Sequence, residues 1–488
     1  MYLSLYSSVH LWQIKTIFLT FFFLFLLSFE AVAQDLKSKL DTNLLNIRIP
    51  QMMDSASVPA LSVGVIRKGK LVWSKNFGTK SLQTKEKVAT NSLFEAASLT
   101  KPMFSYVVMQ MVNEGKIALD TPLVRYVSEK IIEAEFLFYK INDPRFRKIT
   151  ARMCLSHSAG FPNGRTYYGL PLAFEPATDM SYSGEGIGYL QLIIEKLANA
   201  RIDILMQRYI FEPLDMKNSH TVWADSLAPR MCFAHGSQGY TVYYNRHFRP
   251  HGSYTLITNA EDYGKFLASM LNQEGLKKDL YNEMWQTQST AKTGVLASLT
   301  WGLGVGVYNS KAGRAFWHWG DLGTSKAYMM GFPDEQTGVV FFGNSANTLN
   351  MALQLLAETV GGEHKQFNIL NISQYNDPII FLGKYFNAQN VDGFLQKLNA
   401  YILTKESRFN ESVLNNIGYN FMKMNKNKEA LEIFKINFLL YPMTANVYDS
   451  LGEAFLKNNN KIAAKQYYLM ALEKNPNNQN AKTKLKTL

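Results

Sequence analysis

The chain of 488 residues, 47% of them hydrophobic, is long enough for more than one domain with a sizeable core. Its two cysteines, Cys154 and Cys232, exclude a disulfide framework; both lie in apolar sequence, so pairing and burial as free thiols are both open. The formal charge of +12 is uneven, residues 401–488 carrying 13 lysines and arginines against 7 acidic residues, but these lysines are scattered among Asn and Leu. That pattern describes a solvated basic surface and excludes a nucleic-acid motif, just as the absence of Cys-x-x-Cys or His-Glu-x-x-His excludes the common zinc spacings.

In chain order, residues 1–33 read as a secretory signal peptide. One charge at Lys15 precedes an apolar run over 17–29, and Ala31-Val32-Ala33 supplies a small-residue cut site before Gln34. The run is shorter than the ~20 residues a spanning helix needs, and no cysteine follows it for lipid attachment. The expected product is secreted or periplasmic, with no stable transmembrane anchor after cleavage. Next, Ala60-Leu61-Ser62-Val63-Gly64-Val65-Ile66 and the run over 71–78 flank the basic turn Arg67-Lys68-Gly69-Lys70, which predicts an antiparallel hairpin.

Phe94-Glu95-Ala96-Ala97-Ser98-Leu99-Thr100-Lys101-Pro102-Met103 reads as a turn that delivers a serine onto the first turn of a helix, whose apolar positions run through Val107, Val108 and Met111 to a stop at Gly115. Ser98 and Lys101, three residues apart, meet on one helix face. A serine hydroxyl needs a neighbouring base and a field that favours negative charge, and a lysine beside a helix N-terminus offers both. Alone, Ser98 would serve equally as a helix cap.

Helical runs fill residues 105–285, including 188–200 and 260–271. Among them, a loop rich in Pro, Ser and Gly brings Tyr182-Ser183-Gly184 to a helix start; a phenol near Lys101 could relay a proton. Glu185 is close by and has no assigned role. A second Ser-x-x-Lys, Ser289-Thr290-Ala291-Lys292, overlaps Lys292-Thr293-Gly294, and two motifs sharing one lysine cannot form opposite walls of a pocket, so this cluster is read as a decoy. Strands are predicted over 316–319, 325–332 and 337–344, sharing one sheet with the early hairpin. The first runs into His318-Trp319-Gly320-Asp321, where glycine lets a substrate approach the strand edge and His318 can face the same pocket.

Ser98-Leu99-Thr100-Lys101, Tyr182-Ser183-Gly184 and His318-Trp319-Gly320 resemble, in order and approximate spacing, the three motifs of the serine β-lactamase and penicillin-binding protein family, in its class C-like branch. Leu155-Ser156-His157-Ser158-Ala159-Gly160-Phe161 and Phe174-Glu175-Pro176 are similar to that branch as well, and the likeness covers about residues 40–360. The resemblance implies an α/β (α+β) β-lactamase/transpeptidase-like fold, an antiparallel sheet flanked by helices with a helical insert, over residues 34–362. It implies that Ser98 forms an acyl-enzyme, that Lys101 and Tyr182 share the base and acid work, and that the oxyanion meets the N–H groups of Ser98 and Asp321 beside Gly320 and His318. No metal or organic cofactor is implied. Two departures stand out: Gly184 replaces the family's Asn, and His318 replaces its Lys, which weakens penicillin recognition and points to an ester or peptide-like amide.

After a connection at 363–410, the tail at 411–488 repeats: Gly418 recurs as Gly452, Ala430 as Ala464 and Pro442 as Pro476, each 34 residues on. This resembles tetratricopeptide repeats and is consistent with either a groove for a protein or peptide partner or an extension packed on the first domain. The reading is therefore an exported serine hydrolase for a small-molecule or peptide-like substrate. The alternative is a non-catalytic cell-envelope protein that binds penicillin or peptidoglycan and recruits a partner through its repeats.

Overall fold

The computed structural model describes residues 40–374, Gln396 and 410–488, except 167–168, 238, 295, 311–312 and 363. The expected signal peptide and most of the expected connection lie outside the described residues. No described helix is long and apolar enough to cross a membrane.

Helix α1 (Thr42–Ala56) begins where the Asp41 carboxylate accepts the Leu44 N–H at 2.9 Å. It leads into the expected hairpin of β1 (Ala60–Arg67) and β2 (Lys70–Gly78), turned through Lys68 and Gly69, both at positive φ as a two-residue hairpin loop requires. Then follow α2 (Thr100–Asn113), α3 (Gly184–Ala198) and α4 (Ala260–Leu271). Helix α3 starts four residues earlier than its apolar run suggests, because the Ser183 hydroxyl caps it by accepting the Gly186 N–H at 3.0 Å. The remaining strands of the main sheet are β3 (Ser289–Thr290), β4 (Thr300–Trp301), β5 (Gly306–Ser310), β6 (Gly313–Asp321), β7 (Lys326–Phe332) and β8 (Thr337–Gly343), followed by α5 (Ala352–Thr359).

These strands form one antiparallel sheet of eight in the order β2-β1-β8-β7-β6-β5-β4-β3. The two ends of the domain meet where β1 pairs with β8, with Val63 opposite Phe341. Because strand side chains alternate, β1 serves two cores at once: Leu61, Val63 and Val65 pack with α1 and α5, whereas Ile66 joins the cluster that holds α2, α3 and α4. Between them, Ser62 Oγ accepts the Ala260 N–H at 2.9 Å, and a Cβ on Gly64 would stand 2.7 Å from the Ala260 carbonyl oxygen. The backbone of α4 therefore rests directly on the strand. Cys154 and Cys232 are both free and buried, which closes the question the sequence left open.

The tail is helical: α6 (Glu411–Lys423), α7 (Asn427–Leu440), α8 (Ala445–Lys457), α9 (Lys461–Lys474) and α10 (Gln479–Leu485). Its spacing of 34 residues has a packing cause. A Cβ on Gly418 would meet the Phe434 ring at 2.6 Å, and one on Gly452 the Tyr468 ring at 3.1 Å, so each glycine lets one helix of a pair close on an aromatic of the next. Asn420 Nδ2 donates to Ser237 Oγ at 3.0 Å, and Lys423 Nζ lies 5.6 Å over the Tyr240 ring, which joins α6 to the first domain.

Gly64→Ala tests the contact between α4 and β1. The glycine does not need positive φ, so the added methyl acts by overpacking alone and should destabilise by about 1–3 kcal/mol, seen as a lowered Tm in thermal unfolding followed by circular dichroism.

Candidate active site

The turn that carries Ser98 is held from three sides. Phe94–Glu95 pairs with Ile257–Thr258, and the Ala96 N–H donates to the Leu256 carbonyl at 2.9 Å. Ala97 then takes a left-handed φ of 50°, a strained conformation for a residue with a side chain. The Thr100 hydroxyl fixes it by donating to the Ala97 carbonyl at 2.6 Å and accepting the Leu256 N–H at 3.1 Å. The chain leaves through a 3₁₀ turn, Ala97–Leu99, directly into α2.

Lys101 is buried at the start of that helix. Its Nζ lies 3.0 Å from Ser98 Oγ, 3.0 Å from the Ser253 carbonyl oxygen and 4.8 Å from the centre of the Tyr182 ring. Burial lowers its pKa to about 7. Near neutral pH a large share of the side chain is thus a free amine touching the serine hydroxyl. Tyr182 shows the opposite shift. Burial pushes its ionisation up and the nearby Ser98 hydroxyl opposes this weakly, so the side chain stays a phenol; its OH forms no hydrogen bond of normal geometry among the described residues.

His157 positions that tyrosine. It sits at a left-handed φ of 57°, its carbonyl accepts the Ser181 N–H at 2.9 Å and its Nδ1 accepts the Ser183 N–H at 3.2 Å, so the backbone is gripped on both sides of Tyr182. The two rings lie 4.5 Å apart. Burial, reinforced by the positive charge that Lys101 carries when protonated, holds the imidazole neutral.

The sequence expectation that His318 faces the pocket needs correction. It is 0% exposed, it packs on the Tyr182 ring at 6.0 Å, and its Nδ1 donates to the Trp319 carbonyl at 2.7 Å. It sits behind the wall, and burial, reinforced by the charge of Lys101, keeps it neutral. Trp319 takes the place on the cleft surface. Gly320 is required for a different reason from substrate access: a Cβ there would stand 2.5 Å from the Ala96 carbonyl oxygen. The Asp321 carboxylate accepts the Gly323 N–H at 2.7 Å and pairs with Lys326 at 3.0 Å. Its N–H is placed by register. Leu322 donates to Ser325 across the β6–β7 turn, so by antiparallel alternation the Asp321 N–H points away from β7, along an edge that β5 leaves open beyond Trp317.

Ser98, Lys101, Tyr182 and Asp321 open onto one cleft of about 740 Å³, a size suited to a small-molecule or peptide-like ligand. Several of its residues escaped the sequence reading. The carbonyl of Ser253 holds Lys101, and the Ser253 hydroxyl lies 2.7 Å from His251 Nδ1; both residues line the cleft. Asn163 lines it beside Gly184, whose N–H it accepts on Oδ1 at 3.0 Å, so a carboxamide stands next to the position where the sequence lacks one. Thr293 and Gly294, set aside as part of a decoy, form its rim, tied back by the Asp179 carboxylate, which accepts the Lys292 N–H at 2.8 Å. Among the described residues no group of three or more His, Cys, Asp or Glu converges as a metal site.

A serine and a buried lysine at a helix start, facing a tyrosine loop beside an antiparallel sheet, define the serine β-lactamase and penicillin-binding protein class. Residues 45–358 match the Beta-lactamase family, and the chain belongs to it. Its similarities are distant: 20% identity over 361 residues to Protein flp of Staphylococcus aureus, covering 70% of this chain and 68% of flp. It is 25% identical over 291 residues to Lovastatin esterase of Penicillium rubens, covering 48% of this chain and 72% of the esterase. Among solved structures, a class C beta-lactamase is similar with a TM-score of 0.55 and 16% identity, covering 65% of this chain and 94% of that one, which shows the fold alone.

Replacing His157 separates its grip from its shape. His157→Ala loses the Nδ1 acceptor and keeps the strained φ, and should destabilise by about 2–4 kcal/mol. His157→Asn, which tolerates left-handed backbone and keeps a short acceptor, should lose less; denaturant unfolding of the two variants gives the comparison.

Proposed function

We propose that the protein is an exported serine hydrolase that forms an acyl-enzyme on Ser98 and acts on an ester or a small peptide-like amide. The observation that carries this reading is the buried Lys101 amine, 3.0 Å from Ser98 Oγ with its pKa lowered to about 7. As Ser98 Oγ attacks the carbonyl carbon, its proton passes to Lys101 Nζ and the carbonyl π-bond opens to an oxyanion, received by the N–H groups of Ser98 and Asp321. When the carbonyl re-forms, the bond to the leaving alcohol or amine breaks, and that group takes a proton from the Tyr182 phenol, which Lys101 restores. Water then repeats the sequence on the acyl-enzyme, releasing the acid and returning Ser98 to its hydroxyl form.

Support for an ester or simple amide over a penicillin comes from the two departures. His318 is neutral and buried, so the strand offers no cation to a penicillin carboxylate. The Ser183 hydroxyl donates to the Pro162 carbonyl at 2.7 Å while capping α3, and Gly184 brings no side chain to the cleft. The similarity to an enzyme named as an esterase favours the same side.

Incubation with a fluorophosphonate should add one adduct by intact mass, absent in Ser98→Ala; no adduct on folded wild-type protein would overturn the reading. A lasting penicillin adduct would move it toward penicillin binding. Since the neutral amine is the proton acceptor, kcat/KM for an ester should rise as pH climbs through about 7, the lowered pKa of Lys101, and fall about tenfold per pH unit below it. Lys101→Met should abolish that limb and lower kcat/KM by roughly 10²–10⁴.

A further inference from the structure

A second cavity, of about 530 Å³, adjoins the catalytic cleft and shares two residues with it, Glu185 and His251. A glycine inside a helix keeps its floor open. A Cβ on Gly188 of α3 would stand 3.2 Å from His251 Nε2 and 3.6 Å from Phe136 Cε2, and glycine at such a position weakens the helix. The walls are partly apolar: Phe138 is 73% exposed, and the Arg165 guanidinium lies 5.4 Å over the Phe136 and Phe138 rings.

The polar groups divide by whether they are already engaged. Every carboxylate lining this cavity has a partner: Glu185 pairs with Arg165 at 3.2 Å, Glu135 with Lys196 at 2.7 Å, and Glu195 accepts the Ile202 N–H at 2.7 Å. Arg201 is held by Asp203 at 3.1 Å. Arg249 is exposed and has no ion-pair partner among the described residues. His251 adds a second donor. Its Nδ1 accepts the Ser253 N–H at 3.2 Å, which places the ring proton on Nε2, the atom nearest Gly188. Burial holds this imidazole neutral, with a pKa of about 4. The unused capacity of the cavity is therefore hydrogen-bond donors and one guanidinium, set against exposed aromatic carbon.

We infer that this second cavity is the subsite for a substrate arm with an apolar stem and a terminal carboxylate, the stem lying on Phe138 and the carboxylate meeting Arg249 and the His251 Nε2–H. This inference rests on the acyl-enzyme reading of Ser98. It makes the substrate bipartite, with the scissile carbonyl at Ser98 and an anionic end beyond the Glu185–His251 divide.

The test uses two matched pairs of esters with the full chain. One pair places the arm on the acyl side, mono-p-nitrophenyl adipate against p-nitrophenyl hexanoate; the other places it on the alcohol side, the O-acetyl ester of 4-(4-hydroxyphenyl)butanoate against that of its methyl ester. On one side the carboxylate member should show kcat/KM about tenfold above its neutral partner, the size of one charged hydrogen bond. That ratio should fall toward one in Arg249→Ala, recover in part in Arg249→Lys, and drop below one in Arg249→Glu. A ratio near one on both sides in the wild type, or a ratio that Arg249→Ala leaves intact, overturns the subsite while Ser98-dependent hydrolysis stands. No hydrolysis of any ester together with no fluorophosphonate adduct overturns the acyl-enzyme reading itself.

Discussion

The structure depends on burying one lysine amine without a carboxylate. Lys101 Nζ has the Ser98 hydroxyl and the Ser253 carbonyl as hydrogen-bond partners and the Tyr182 ring above it. Removing an ammonium from water with no countercharge is unfavourable, and the amine responds by giving up its proton near neutral pH. A well-packed apolar side chain would stabilise this position more. The loss makes sense as chemistry: a dry free amine in contact with a serine hydroxyl is a base in position.

Keeping that contact requires one strained residue and two close approaches around α2. The left-handed Ala97 turns Ser98 outward, Gly320 lets β6 pass beside the Ala96 carbonyl, and Gly304 lets a loop pass beside Ser105, where a Cβ would stand 2.3 Å from the serine Cβ. The Tyr263 hydroxyl, from α4, closes the remaining side by donating to the Leu99 carbonyl at 2.9 Å. Because α4 lies on Gly64 of β1, the position of the nucleophile is referred back to the strand that joins the two ends of the domain. Site and fold are one mechanical unit here.

What the sequence made legible follows from the range of the signals. The hairpin, the long strands and the Ser98 turn could be read because alternation, helical spacing and glycine stops are local. Strands β3 and β4 are two residues each and carry no period, so they were missed. Helix α3 was placed late because Gly184-Glu185-Gly186 reads as loop, although Ser183 is a cap signal. His157, Ser253 and Asn163 were invisible as site residues for another reason: each acts through a partner more than twenty residues away. His318 turned out buried because strand alternation puts it on the same face as Gly320, which packs against Ala96, a contact between distant residues that no local pattern shows.

The replacement of a family lysine by His318 also changes what sets the base. Two ammonium groups in one buried site would lower each other's pKa by repulsion. Here both imidazoles flanking Tyr182 are neutral, and the one cause that lowers Lys101 is burial. The proton affinity of the base is thus set by packing, by the Tyr182 ring and the walls that exclude water. The same neutrality leaves the strand beside Ser98 without a cation for an anionic ligand, so that any recognition of negative charge falls to residues outside the three motifs.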